Sequence, residues 1–237
     1  MTVQLELVTI AAGPFTMGSA EGQPDEQPLH EVWLDEFSLS VHPVTNAEYL
    51  RFVAATGHRP PGMSGDERFA LPRQPVVAVS WFDAVAYCAW RRDVTGLCCR
   101  LPTEAEREKA ALGGKDGVLY PWGNAPQVLA PAVRADAPPV VGGDPANGYG
   151  LHNMGDLVHE WCSDWYDADY YRHSPTHNPV GPSVGTRRSS RGGSWRHHVP
   201  VSRCAARSSL SPERIYTDYG FRVAVGASPV PRHCGER

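Results

Sequence analysis

The stretch from Arg191 to Val225 holds the side chains best suited to chemistry. Gly192 and Gly193 precede Ser194 and Trp195, and paired glycines let another chain segment approach closely. His197 and His198 follow at once. Imidazole is the commonest metal ligand among side chains, and nitrogen donors suit Fe(II) or Cu(II). Adjacent side chains tend to point apart, so this pair needs a third donor to hold one ion. His152 or His159 would serve if the fold brought either near. The competing reading makes both histidines polar loop residues beside a cleft, one bonded to a backbone carbonyl. Trp195, Arg203 and Arg207 are candidates for lining a substrate or peptide cleft. Core packing is the alternative for Trp195. Pairing with Asp164 or Asp218 is the alternative for Arg207, since a buried arginine pairs with carboxylates.

The elements that must position these groups can be read from caps and alternation. Thr45 to Glu48, Ser80 to Asp83 and Thr103 to Glu106 each fit a capping box, in which the hydroxyl and the acid satisfy free N–H groups reciprocally. They predict helices running to about Ala55, to Gly96 and to about Leu112, with Gly57, Gly96 and Gly113-Gly114 as stops. Val3 to Ile10 and Phe15 to Ser19 read as strands about a turn at Ala11–Pro14 and predict an opening hairpin. His30 to Ser40 alternates, and Tyr219 to Val225 suits a buried terminal strand. Helical periodicity ends after Leu112. The tail beyond Val225 is expected to fray. With 237 residues and no repeat or linker, one domain over 1–237 with a core of about 8–225 is expected.

Composition excludes several classes. The net charge of −4 gives no basic surface for nucleic acid. No 18-residue apolar run and no secretory leader are visible, so a cytoplasmic protein without membrane contact is expected. The six cysteines show no CxxC spacing and read as reduced thiols. No GxSxG elbow and no phosphate-binding glycine loop is present.

An ordered set of short blocks runs through the chain: Gly13–Ser19, Pro43–Tyr49, Pro75–Trp81, Arg100–Glu106, Tyr120–Gly123, Asn147–Leu151, Glu160-Trp161, Arg191–Trp195, Cys204–Ser208 and Gly220–Arg222. Together they resemble the formylglycine-generating enzyme, or sulfatase-modifying factor, family. The resemblance implies an irregular, loop-rich, C-type-lectin-like α+β fold. Relatives on that fold include the iron-dependent sulfoxide synthases of ergothioneine synthesis and immunity-like or ligand-display proteins without known chemistry.

The family oxidises a substrate cysteine with O₂ at a copper(I) held by two cysteines just after the GGS motif. Here the first cysteine position falls on His197, and His198–Ser202 holds no cysteine. The resemblance therefore implies a metal-dependent O₂-using oxidoreductase that is not a standard formylglycine generator. His197, His198 and Ser194 would be its catalytic residues, His197 its possible transition-metal ligand, and iron or copper its metal. A small thiol- or amino-acid-like substrate, a protein or a peptide would be its partner. The alternative is an inactive module that binds protein or peptide. The resemblance further implies a structural Ca²⁺ at Asn153, Asp156, Val158 and Glu160, through two side chains and two backbone carbonyls, an oxygen set that suits a hard cation.

Overall fold

The computed structural model describes residues 5–125, 136–197 and 199–226. The three helices form between their caps: α1 Asn46–Thr56, α2 Trp81–Thr95 and α3 Glu104–Leu112. In each, the hydroxyl of Thr45, Ser80 or Thr103 accepts from the N–H three residues on. The acid there, Glu48, Asp83 or Glu106, accepts from the N–H of the cap. Gly57, Gly96 and Gly113 close them in the left-handed region, which costs glycine nothing in side-chain strain.

The strands are β1 Leu7–Ile10, β2 Gly13–Met17, β3 His30–Leu34, β4 Phe37–Ser40, β5 Cys99–Arg100, β6 His159–Trp165, β7 Arg188–Arg191, β8 Arg207–Leu210, β9 Tyr219–Gly220 and β10 Ala224–Val225. They build three sheets, ordered β1-β4-β10-β5, β2-β3 and β8-β7-β6-β9. This is the expected α+β class, with one correction. No opening hairpin forms, because β1 pairs antiparallel with β4 and β2 with β3. Alternation marks a strand but not its partner. The β2–β3 register sets Phe15 against Val32, both buried, which fills the core better than a β1–β2 turn would. The predicted terminal strand also divides. β9 runs parallel to β6, while β10 lies between β4 and β5. Arg222, between them, leaves the sheets to reach Glu160.

α3 is the axis of the molecule. Its sequence, EAEREKAAL, is rich in charge, yet Glu104, Glu106, Arg107, Glu108 and Lys109 are all buried. Each charge has a partner, as a buried charge must. Glu104 accepts from Arg207 Nε at 2.7 Å and Nη2 at 2.9 Å, from Arg191 Nη1 at 3.2 Å and from Ser189 Oγ at 2.9 Å. Glu108 accepts from Arg191 and from the Gly18 N–H. Arg107 donates to Glu160 on β6 at 2.7 Å. Lys109 Nζ donates to the carbonyls of Ala11 and Gly13. The helix thereby ties the β2–β3 sheet to the β8-β7-β6-β9 sheet.

Replacing Glu104 by alanine strands Arg207 in the interior without a carboxylate and leaves Arg191 with Glu108 alone. A loss of roughly 3–5 kcal/mol is expected, the usual cost of breaking a buried pair, measured by urea unfolding; a change under about 1 kcal/mol would contradict this account. A second expectation concerns acid. Burial pushes the Asp83 carboxyl up, but hydrogen bonds from Arg59, Ser80 and His58 outweigh it and bring its pKa from 3.8 down to about 2. A carboxylate depressed on folding stabilises above its unfolded pKa, and that contribution fades as pH falls through the folded value. Stability measured against pH should therefore decline between about 4 and about 2, and Asp83→Asn should flatten that decline.

Candidate functional site

Three segments converge at one end of the β8-β7-β6-β9 sheet. The turn after β7 is laid on the segment before β6 by Gly193 N–H to Gly155 O at 3.2 Å and Trp195 N–H to Leu157 O at 3.0 Å. This approach needs glycine: a Cβ at position 193 would stand 2.6 Å from Gly155 O and 2.4 Å from Ser202 Oγ. Parallel pairing of β6 with β9 brings in the third segment, with His159 N–H donating to Asp218 O at 2.8 Å.

His159, His197 and Asp218 meet there. His159 Nε2 and His197 Nδ1 are 2.8 Å apart, and His197 Nε2 lies 3.5 Å from Asp218 Oδ2. One ligand atom from each residue fits within 4.8 Å of the others. Ser194 Oγ donates to Asp218 Oδ2 at 3.3 Å and fixes the carboxylate. His159 is buried under the ring of Tyr219, with centroids 5.0 Å apart, whereas the His197 side chain is 41 % exposed. Burial first, and then the neighbouring His197, lower the His159 pKa to about 4. Its imidazole is therefore neutral near pH 7, the form that binds metals. Two imidazoles and one carboxylate on one centre form the donor set of non-haem iron oxygenases, so the residues present fit such an ion.

The other sequence candidates are placed as follows. His159 joins His197, as the need for a third donor suggested. His152 does not; it faces His42 and bonds to the Asp144 carbonyl. His198 lies outside the described residues. Trp195 is corrected from cleft to core: it packs edge-on to Phe69 and its indole N–H donates to Thr217 O. Arg207 is also corrected, because it is fully taken up by Glu104, the carbonyls of Asp25 and Asp167, and the rings of Tyr166 and Tyr171. Arg203 does line a cleft, of about 710 Å³, with Ser19, Glu21, Leu29, Leu119 and Pro200. There it holds buried Glu26 at 2.5 and 2.7 Å.

Three of the four calcium candidates, Glu160, Asn153 and Asp156, already have partners. Glu160 is shared by Arg107 and Arg222, and the Asn153 carboxamide oxygen accepts from the Gly142 N–H. The Asp156 carboxyl, raised to about 7 by burial and then by Asp144, faces Asn153 and Asp144. Val158 O borders Gly192. Among the cysteines, Cys88, Cys99, Cys162 and Cys204 are buried free thiols, each held above its ordinary pKa by burial. None is a ready nucleophile. Cys98 is disulfide-bonded, which corrects the uniformly reduced reading and excludes a Cys98–Cys99 bridge. The sequence alone did not offer Asp218 as a candidate ligand, because its approach to His159 depends on the β6–β9 pairing, which leaves no local pattern.

The chain matches the sulfatase-modifying factor enzyme 1-like domain over residues 2–227, and it belongs to that family. The formylglycine-generating enzyme of Streptomyces coelicolor is 36 % identical over 284 residues, spanning 92 % of this chain and 88 % of that protein. A Chlamydia caviae protein named serine/threonine-protein kinase pkn1 is 38 % identical over 241 residues, covering 93 % of this chain. This chain spans only 38 % of that relative's length. PvdO from Pseudomonas aeruginosa superposes with a TM-score of 0.81 at 30 % identity, over 93 % of this chain and 94 % of its own. The fold is accordingly the irregular, C-type-lectin-like α+β architecture of formylglycine-generating enzymes. No helix among the described residues is long and apolar enough to cross a membrane.

Arg203→Ala should destabilise the protein by leaving Glu26 buried and unpaired. The loss should fall below the roughly 3–5 kcal/mol of a fully buried pair, because water reaches Arg203. Thermal unfolding of Arg203→Ala and of the double variant Arg203→Ala/Glu26→Gln checks it: the second change should restore part of the loss.

Proposed function

We propose that the chain is a metal-dependent, O₂-using oxidoreductase whose ion is held by His159, His197 and Asp218. The observation that carries this reading is the convergence of two imidazoles and a carboxylate from three segments, with His197 at the position where the resemblance puts the family's first copper-binding cysteine. Nitrogen and carboxylate donors favour Fe(II), with Cu(II) the other ion they accept, over the cuprous ion that thiolates select. The bound metal would supply the redox chemistry with O₂. The chain itself does the rest. Burial keeps His159 neutral, Ser194 orients Asp218, and exposed His197 leaves one side open to a small thiol- or amino-acid-like substrate. Conversion of cysteine to formylglycine by the two-cysteine copper route is not part of this reading, since imidazole stands at the first thiolate position.

The 710 Å³ cleft beside Arg203 favours a second reading, a module that holds a protein or peptide without chemistry. The two separate by metal content. Protein purified without chelator, then reconstituted with Fe(II) or Cu(II), should hold about one transition metal per chain and consume O₂ with a thiol or amino-acid substrate. His159→Ala, His197→Ala and Asp218→Ala should each lose the metal while remaining folded. Failure of the wild type to bind either ion would sink the oxidoreductase and leave the binding module.

A further inference from the structure

The charge balance around Glu160 leads elsewhere. Glu160 is fully buried, and both of its oxygens are taken by guanidinium groups. Oε2 accepts from Arg107 Nε and Arg222 Nε, each at 2.7 Å, and Oε1 accepts from Arg222 Nη2 at 3.0 Å. One carboxylate is thus met by two guanidinium groups, so its charge is answered twice over.

The surrounding oxygens are answered too. Arg107 Nη2 donates to Met154 O at 2.7 Å. Arg222 donates to the carbonyls of Ser40, Val41 and His152 at 2.9 to 3.1 Å. Gly192, at φ +81°, leaves the gap into which Arg107 reaches. A Cβ there would stand 3.1 Å from Arg107 Nη2, 3.2 Å from Met154 O and 3.6 Å from Val158 O. The Arg107 guanidinium thus bridges the Glu160 carboxylate and the Met154 carbonyl, beside a gap at Gly192 that Val158 O also borders. That is the kind of donor set a calcium ion takes, at about 2.3–2.6 Å and with six to eight oxygens.

We propose that the Arg107 guanidinium is the resident cation of this oxygen cage, and that the chain is built to fold without calcium. A divalent ion entering the cage would meet two fixed positive charges on its one carboxylate. It would also have to displace N–H donors from Glu160 and from the carbonyls. Arginine suits the replacement because its planar fork serves a carboxylate and a carbonyl together, and because it stays charged when buried. The inference is independent of the histidine–aspartate centre.

Equilibrium dialysis with radioactive calcium tests it, on the wild type and on Asp156→Asn. In that variant the Asp144–Asp156 pair cannot compete, while the backbone carbonyls remain. Neither protein should hold calcium, and Tm should move by less than about 1 °C between EDTA and millimolar calcium chloride. One calcium per chain in Asp156→Asn overturns the proposal. Arg107→Met empties the cage of its cation. Its Tm should fall, and should recover by several degrees in millimolar calcium chloride but not in sodium chloride of equal ionic strength. A folded Arg107→Met protein indifferent to calcium also overturns it. Should that variant not fold, the dialysis result decides by itself.

Discussion

The structure depends on charges buried in opposite pairs along α3. Burying an isolated ion is prohibitive, so Glu104 and Glu108 of this helix fix where arginines from distant segments must lie. Glu104 draws in Arg191 and Arg207, from β7 and β8. Arg107 meets Glu160 on β6, which also holds Arg222 from beyond β9. A fold with little regular sheet thereby gains directional contacts that packing alone would not give. Two of these arginines come from the ends of the segment that carries Ser194 and His197, so the network also holds the candidate site in place.

The site inherits its geometry from this frame and adds little of its own. β6, with Glu160 anchored at the arginine pair, begins at His159. Arg222, three residues past Tyr219, pulls the β9 segment into register beside β6, and Asp218 arrives with it. The Gly192-Gly193 turn lets the third segment lie against Gly155 and delivers His197. Changes in the network should accordingly disturb the histidine–aspartate centre even where they touch none of its atoms.

Much of this was legible in the chain. The capping boxes at Thr45, Ser80 and Thr103 and the glycine stops are local devices, set by hydrogen bonds within four residues, and each fixed its helix closely. The ordered blocks identified the family. The need for a third donor beside His197 offered His152 or His159 from the chemistry of adjacent histidines, and only the fold chose His159. Strand pairing was not legible, because the alternation of β1, β2, β3 and β4 looks the same whichever partner each takes. The burial of α3 was not legible either: a stretch rich in Glu, Arg and Lys carries no local sign of it, and the partners that make burial possible lie mostly on other segments.

The sequence by itself determined the helices, the family and the residue types able to hold a metal, since these rest on short-range geometry and on side-chain chemistry. The tertiary structure decided which of those residues meet. It joined Asp218 to the two histidines, moved Trp195 and Arg207 from cleft to core, and gave Glu160 to two arginines. Each of these outcomes requires contacts between segments tens of residues apart, and the balance between desolvation and pairing that settles them exists only once the chain is folded.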